Sequence, residues 1–199
     1  LNIGGGFGIW YTDDDAKISV DGYAAYLEAL ISAVKEKSSE LGLKQPYLLI
    51  EPGRSIVGEA CITLYTVGAI KDIPGIKKYV AIDGGMFDNP RYALYQSKYT
   101  VLLANRANEA CTEKVTIAGK CCESGDLIAV DVPLPEARRG DIAAVLSTGA
   151  YNYSMASNYN RNFIPPAILV HGGKAEYIVK PQTYDDLVRN DVVPDYLKQ

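Results

Sequence analysis

The chain that follows Arg54 consists of short runs of β-branched and aromatic residues, and this pattern constrains the fold more than any other feature. Turn-forming sequences such as Asp83-Gly84-Gly85 and Arg138-Arg139-Gly140-Asp141 separate several of the runs, as is typical of antiparallel sheets. Gly172-Gly173 has the spacing of a two-residue hairpin turn between the last two runs. We therefore predict a mostly antiparallel β domain over residues 56–199. Its eight predicted strands are residues 62–70, 79–82, 99–104, 115–118, 127–132, 142–146, 167–170 and 175–179.

Residues 1–55 have a different pattern and predict the end of an α/β domain. Apolar residues recur with helical spacing over residues 21–41, where Asp21 can cap the helix and Gly42 can end it. Short apolar runs at residues 1–3 and 47–50 flank this helix and read as two parallel strands. The predicted fold class is therefore α+β, with a strand–helix–strand unit followed by the β domain.

Composition and charge exclude several classes of protein. The net charge is −4 and no basic tract is present, so neither nucleic acid nor an anionic membrane is an expected partner. No apolar run reaches membrane-spanning length, and no signal peptide is visible. The cysteines do not have metal-site spacing with the lone His171, and no metal is expected. Four free thiols in a reducing cytoplasm are the favoured interpretation, over a disulfide framework: Cys61, Cys111, Cys121 and Cys122.

The first residues of the chain resemble the end of a strand that runs into a glycine turn. The sequence opens with Leu1 and continues through Gly4-Gly5-Gly6, without an initiator methionine. Proteins rarely begin inside a structural element, so we expect this chain to be part of a longer protein.

Two turns in residues 1–55 predict a shared ligand site. Gly4-Gly5-Gly6 follows the first strand, and Glu51-Pro52-Gly53-Arg54 follows the second. Successive glycine N–H groups can surround an anion, and the carboxyl ends of parallel strands lie on one side of a sheet. A carboxylate beside an anion site can also keep a pyridine nitrogen protonated. A phosphate-bearing ligand and two purely structural turns both remain open on these residues alone.

Five motifs together resemble one enzyme family over essentially the whole chain. They are GGGFG (4–8), EPGR (51–54), DGGMFDNPRYALY (83–95), CESGD (122–126) and GAYNYSMASNYN (149–160). Their order is similar to that in diaminopimelate decarboxylases, pyridoxal-phosphate enzymes built on an alanine racemase-like barrel. CESGD is the most specific of the five. The resemblance implies decarboxylation of meso-2,6-diaminopimelate to L-lysine by a cytoplasmic homodimer that takes part in lysine biosynthesis.

The resemblance also implies roles for individual residues around pyridoxal 5′-phosphate. Glu51 would pair with the pyridinium nitrogen, and Tyr151 would contact both cofactor and substrate. The residues that would hold the cofactor are Gly5, Gly6, Glu51, Pro52, Gly53, Arg54 and Tyr151.

On the substrate side, the resemblance implies that Arg54, Arg91 and Tyr95 bind the end distant from the reacting carbon. Glu123 would bind the distal amino group, and Cys122 would return a proton to the decarboxylated carbon. In this family the cysteine and the glutamate reach into the partner subunit's site, so the active site is shared across the dimer interface.

Two departures from the family pattern bear on these expectations. Position 121 is Cys, where the family more often has His. The lysine that carries the cofactor, and the histidine that stacks on its ring, lie in the N-terminal part of the family's barrel. No lysine of this chain has a matching setting. We therefore expect residues 1–55 to be the last part of that barrel, and the isolated chain to be inactive.

Alternatives remain open at each level. The parent enzyme could decarboxylate another basic amino acid or a carboxylated polyamine, or the chain could be a non-catalytic dimerising β domain. Arg91 and Tyr95 could form a stacked surface pair, and Cys122 could be an inert buried thiol. Glu123 and Asp126 could simply cap the turn at Gly125.

Overall fold

A six-stranded sheet forms the centre of the protein. The structure is a computed structural model that describes residues 1–198. The sheet has the strand order β3-β6-β1-β2-β4-β5, and β7 and β8 form a separate two-stranded sheet. The strands are β1 (Thr63–Ile73), β2 (Lys77–Ile82), β3 (Val101–Leu103), β4 (Glu113–Ala118), β5 (Leu127–Leu134), β6 (Ile142–Val145), β7 (Ala167–His171) and β8 (Lys174–Val179). The α-helices are α1 (Val20–Glu40), α2 (Arg54–Val57), α3 (Arg91–Tyr95), α4 (Asn152–Met155) and α5 (Tyr184–Val188), and short 3-10 helices occupy Ala104–Arg106, Tyr159–Arg161 and Asp195–Leu197.

The register of β1 explains how the sheet curves. Its first residues pair with β6 and its later residues pair with β2. The register shifts between Val67 and Ile70, and such an irregularity increases local bend and twist. β3 and β5, at the two ends of the sheet, contact each other. The sheet is therefore nearly closed into a barrel, and the predicted mostly antiparallel β domain is confirmed, with each of the eight predicted strands present.

The interior of this barrel contains the hydrophobic core. Alternate residues of each strand point inward, so the core draws on every strand of the sheet. Burial of one such aliphatic side chain contributes about 1.5–3 kcal/mol. Among the most completely buried side chains are Val67, Val80, Leu103, Val115, Ile117, Ile128, Leu134 and Val145.

Helix α1 begins one residue earlier than predicted and has a different cap. Ser19 is the N-cap, and its hydroxyl accepts a hydrogen bond from the Gly22 N–H. The prediction of Asp21 as the cap was wrong. Asp21 lies within the first turn, where its negative charge interacts favourably with the positive end of the helix dipole. Gly42 follows the helix with a positive φ of 62°, as predicted. No residue of α1 is fully buried, so its apolar side is only partly covered.

The two predicted flanking strands form one parallel bridge, between Asn2 and Leu49. Ile3 N–H donates to the Leu49 carbonyl at 3.0 Å, and Glu51 N–H donates to the Gly4 carbonyl at 2.7 Å. The predicted parallel pairing of residues 1–3 with residues 47–50 is therefore confirmed, but as one isolated bridge and not as two strands. Each segment has only the other as a partner in the part of the chain that the structure describes, and such a pair does not make a stable ladder alone. The barrel assignment of residues 1–55 and the domain boundary at residue 55 stay predictions.

The C-terminal hairpin extends away from the core. Gly172 and Gly173 form the turn between β7 and β8 with positive φ angles, as the glycine pair predicted. Most side chains on both strands are exposed, including Val170 and Tyr177. Within residues 1–198, no helix has the length and apolarity needed to cross a lipid bilayer.

Candidate functional site

The glycine turn and the Glu51–Arg54 turn lie side by side. In addition to the hydrogen bond from Glu51 N–H to Gly4, a Cβ atom at Gly5 would lie 2.3 Å from the Glu51 carbonyl oxygen. Only glycine allows this approach. Around Gly4 and Gly6, by contrast, no atom lies within 4 Å of an added Cβ. The backbone is therefore anchored at Gly5 and open on either side of it.

The Glu51 side chain is held at the same place. Asn2 donates from Nδ2 to Glu51 Oε1 at 2.5 Å, and Asn2 Oδ1 accepts from the Gly4 N–H at 2.8 Å. Asn2 thus joins the two turns through both ends of its amide. Across residues 1–198, no Lys, Arg or His nitrogen lies within 4 Å of the Glu51 carboxylate. The carboxylate can therefore accept an N–H from a bound cation.

Two arginines and two tyrosines from separate parts of the chain form a stack. Arg54 Cζ lies 5.2 Å from the centre of the Tyr151 ring, and Arg91 Cζ lies 5.3 Å from the same ring. Arg91 Cζ also lies 5.5 Å from the Tyr95 ring. These distances suit cation–π contacts. The structure therefore brings together four residues that the sequence analysis linked to substrate binding.

Close backbone packing places Tyr151 between the arginines. Gly149 N–H donates to the Gly58 carbonyl at 2.9 Å, and a Cβ at Gly149 would lie only 1.8 Å from the Val57 carbonyl oxygen. The loop before Tyr151 consequently lies directly against α2, which begins at Arg54. Tyr151 itself has a φ of 73° and is 46% exposed. A non-glycine residue in this region is uncommon, and such strain is frequent at functional sites.

Arg91 is only 7% exposed, so the alternative of a stacked surface pair with Tyr95 was wrong for this residue. Its Nε donates to Tyr99 Oη at 3.0 Å, and its Nη2 donates to Ser97 Oγ at 3.3 Å. A guanidinium has five N–H donors, so three have no hydrogen-bond partner among residues 1–198. No carboxylate in the described chain lies within 4 Å of Arg91 or Arg54. The buried Arg54 Nε likewise lacks a hydrogen-bond acceptor among residues 1–198.

A buried cation without a counter-charge is costly. An anionic ligand at this place would supply the missing charge, and a carboxylate can bind a guanidinium with two parallel hydrogen bonds. The stack of Arg54, Tyr151, Arg91 and Tyr95 is therefore a candidate anion site.

The loop that contains Cys122 and Glu123 is fixed by Asp126. The buried Asp126 carboxylate accepts from the Met86 N–H and from the Cys121 N–H, each at 2.6 Å. The carboxylate therefore joins the 83–95 and 122–126 motifs. The alternative in which Asp126 serves only to cap the Gly125 turn was wrong, because its carboxylate binds groups outside that turn.

Cys122 and Glu123 are both exposed, which rules out the buried-thiol alternative for Cys122. The Cys122 N–H donates to Asn160 Oδ1 at 3.2 Å. Within residues 1–198, no hydrogen bond, ion pair or aromatic contact joins either side chain to the stack of arginines and tyrosines. These two residues therefore make no direct polar contact with the candidate anion site within the described chain.

The neighbouring Cys121 differs from Cys122. Burial, followed by the negative charge of Asp126, raises the pKa of the Cys121 thiol to about 11, so this thiol is protonated at neutral pH. Asn162 Nδ2 lies 3.7 Å from its sulfur. All four cysteines are free.

Asp88 is a buried carboxyl in the 83–95 motif. Tyr65 donates its hydroxyl to Asp88 Oδ1 at 2.5 Å, and the Gly85 N–H donates to Oδ2 at 3.1 Å. Burial outweighs these hydrogen bonds and raises the pKa of Asp88 from 3.8 to about 6. Burial also raises the pKa of Tyr65.

Sequence reasoning missed Tyr99, Ser97 and Asn152. Tyr99 lies in a predicted strand and reads as a core residue, and it is buried. Its hydroxyl nevertheless contacts both Arg91 and Asn152 Oδ1, the latter at 3.3 Å. No local pattern connects residues this far apart in the chain, although Asn152 lies in a motif that the sequence analysis had quoted.

Comparisons with known proteins agree on one family. Residues 11–149 match the family described as "Pyridoxal-dependent decarboxylase, C-terminal sheet domain". The diaminopimelate decarboxylase of Bacillus subtilis is 54% identical over 192 residues, which are 96% of this chain and 43% of that protein. The corresponding protein of Synechocystis is 52% identical over 197 residues, which are 99% of this chain and 41% of that protein.

A solved structure has the same arrangement. The crystal structure of diaminopimelate decarboxylase from M. jannaschii in co-complex with L-lysine has a TM-score of 0.85 at 36% identity, over 98% of this chain and 43% of that chain. The chain thus spans less than half the length of these relatives. Because the family match extends over most of the six-stranded sheet, the chain belongs to the pyridoxal-dependent decarboxylases and contains their C-terminal sheet domain.

Proposed function

We propose that the enzyme to which this chain belongs decarboxylates meso-2,6-diaminopimelate to L-lysine and CO2, with pyridoxal 5′-phosphate as cofactor. The observation that carries this proposal is the buried, uncompensated Arg91 between the rings of Tyr95 and Tyr151. Diaminopimelate has a second carboxylate at the end that does not react, and Arg91 suits that group. Relatives at 50–54% identity that are named diaminopimelate decarboxylases support the proposal.

The residues around the two turns fit the cofactor. Gly5 and Gly6, with Pro52, Gly53 and Arg54, would hold its phosphate, because the backbone is open at Gly6 and Arg54 Nε has no acceptor in the described chain. When bound, the cofactor stabilises the electron pair that CO2 leaves behind on carbon.

Glu51 would accept the N–H of the cofactor ring, since its carboxylate stands at the edge of the turn with only Asn2 as a partner among residues 1–198. Tyr151 would contact both cofactor and substrate from its position over Arg54. We also propose that residues 1–55 are the last part of the cofactor-binding barrel, which places both turns at one end of its strands.

The substrate's distal carboxylate would lie against Arg91 and Arg54, next to Tyr95. An amino-acid decarboxylase whose substrate lacks this carboxylate would leave the Arg91 charge unpaired in a buried place, which is costly. The arrangement therefore favours diaminopimelate over ornithine or a basic amino acid with no second carboxylate.

Cys122 would give a proton to the decarboxylated carbon, and Glu123 would bind the distal amino group. Both are exposed and form no hydrogen bond or ion pair with the arginine stack within residues 1–198, and we propose that they act in the site of a second copy. On this proposal the working enzyme is a homodimer.

The experiment compares substrates and variants in the holoenzyme. CO2 release should be rapid with meso-diaminopimelate and slow with L-ornithine. Arg91→Ala should chiefly raise KM for diaminopimelate, because it binds a part of the substrate that does not react. Cys122→Ala should chiefly lower kcat, by ~10²–10⁴-fold, as for loss of a general acid.

Cys61→Ala is the matched control, since Cys61 is also an exposed free thiol and lies outside the proposed site. Its kcat should equal that of the wild type. A holoenzyme that prefers ornithine to diaminopimelate would show that the second carboxylate is not what Arg91 recognises.

A further inference from the structure

We propose that Tyr99 and Asn152 are positioning residues that fix the Arg91 guanidinium in the orientation needed to bind the distal carboxylate. This inference rests on the proposed function and extends it to two residues without a previous role. Both side chains are buried, and the proposed role is to act on the substrate through Arg91.

The three side chains form a hydrogen-bond chain with a fixed direction. Arginine has no acceptor, so at the 3.0 Å contact Arg91 Nε donates and Tyr99 Oη accepts. The Tyr99 proton must then point elsewhere, and Asn152 Oδ1 accepts it at 3.3 Å. Burial raises the pKa of Tyr99, so its hydroxyl keeps this proton at neutral pH. The chain thus runs from Arg91 through Tyr99 to Asn152.

This chain determines which part of Arg91 is presented. Tyr99 binds Nε, and Ser97 binds Nη2, so the guanidinium is held in its own plane along one side. The rings of Tyr95 and Tyr151 contact it as well. The N–H groups that remain are both on Nη1 and one on Nη2, and these are the donors that suit a bidentate carboxylate.

One short segment controls both kinds of contact. Tyr151 and Asn152 are adjacent, and the positive φ of Tyr151 allows its ring to lie on Arg91 while Asn152 starts α4 and reaches Tyr99. The segment thus holds Arg91 directly through one residue and indirectly through the next.

The test uses ligands that differ by one carboxylate. Loss of one CO2 from diaminopimelate leaves L-lysine, which keeps the distal carboxylate, and cadaverine is the same diamine chain without it. In the holoenzyme, Tyr99→Phe should weaken L-lysine inhibition and raise KM for diaminopimelate by ~10-fold, the size of one hydrogen bond to a charged group. Neither kcat nor cadaverine inhibition should change by more than about twofold.

Asn152→Ala should act in the same direction with a smaller effect, of about threefold, because Tyr99 can still accept from Arg91. The KM and inhibition constants of Asn152→Ala can be measured even if Tyr99→Phe fails to fold. Tyr177→Phe is the matched control, since it removes a hydroxyl from an exposed tyrosine of β8 that has no assigned role in the site, and it should behave as the wild type.

Equal losses of L-lysine and cadaverine binding in both variants, or a fall in kcat with unchanged KM, would overturn the positioning role while leaving the proposed function intact. A wild-type holoenzyme that binds L-lysine no more tightly than cadaverine would instead contradict the proposed function, and the positioning role would fail with it.

Discussion

The six-stranded barrel and the segments on either side of it differ in how they bury apolar surface. Inside the barrel, side chains such as Leu103 and Ile117 are completely buried. Helix α1 has no buried residue, and the β7–β8 hairpin exposes large apolar side chains on both strands. Both kinds of segment have well-formed local structure, with a capped helix in one case and a regular hairpin turn in the other.

The difference shows that local structure and a core are separate requirements. The barrel satisfies both within its own residues, whereas α1 and the hairpin satisfy only the first. Exposed apolar surface of this extent is typical of faces that another part of a protein covers. The barrel should therefore determine global stability, and the flanking elements should contribute little to it.

The largest effect should come from the barrel core. Leu103→Ala should destabilise the protein by ~2–5 kcal/mol, because it leaves a cavity in a place with no solvent access. Leu169→Ala, the same substitution at a 54% exposed position of β7, should cost about 0.5 kcal/mol or less. Urea unfolding of both variants measures the difference. Similar losses in the two variants would show that the hairpin is part of the same cooperative unit.

The second-largest effect should be a pH dependence of the free energy of unfolding, caused by Asp88. Since the folded-state pKa of Asp88 is raised from 3.8 to about 6, the folded protein binds this proton more tightly than the unfolded chain. The stabilisation that results from this tighter proton binding is fully present below about pH 4 and is lost as the pH rises through 6. The free energy of unfolding falls by at most about 3 kcal/mol over this range. Besides Tyr65 and the Gly85 N–H, Asp126 and Lys120 act on this carboxyl.

Asp88→Asn should remove this part of the pH profile, measured as the free energy of unfolding between pH 4 and 7. The control is Asp185→Asn, which removes an exposed carboxyl from α5 and should leave the profile as in the wild type. An Asp88→Asn profile with the wild-type slope would assign the pH dependence to other groups.

The smallest effect on global stability should come from α1. Ser19→Ala removes the hydroxyl that accepts from the Gly22 N–H at 3.2 Å, and loss of such a cap costs ~1 kcal/mol of helix stability. Because α1 buries no residue, its amides should exchange faster while the urea midpoint stays the same. Ser39→Ala, near the other end of the helix, is the control and should not speed exchange. A lowered midpoint for Ser19→Ala would mean that α1 and the barrel unfold together.

The same contrast explains how much of the fold could be predicted from the sequence. Strands such as β4 and β8 have an apolar pattern and clear turn signals, so their positions follow from local chemistry. The order of the strands in the sheet does not, because it depends on contacts between distant residues. At α1, Asp21 and Ser19 are both good capping residues, and only the entry angle of the chain decides between them.

For the candidate site, the sequence motifs predicted Arg54, Arg91 and Tyr151, which the structure brings together. They could not predict that Tyr99 supports Arg91, since a tyrosine in a β-rich run reads as core. Capping of its own turn stayed open for Asp126 for a similar reason, because the hydrogen bond that it accepts from the Met86 N–H joins one motif to another.

The parallel pairing of β2 with β4 has a consequence for the part of the chain that contains Arg91. Two parallel neighbours cannot be joined by a tight turn, so the chain between them, residues 83–112, must cross from the end of β2 back to the opposite end of the sheet, where β4 begins. This connection contains α3, which includes Arg91, and β3. Because β3 pairs with β6, that part of the connection is fixed by the sheet. Helix α3, by contrast, takes part in no strand pairing, so substitutions there break no hydrogen bond between strands. The surroundings of Arg91 can therefore change by substitution in α3 while the strand order of the barrel stays the same.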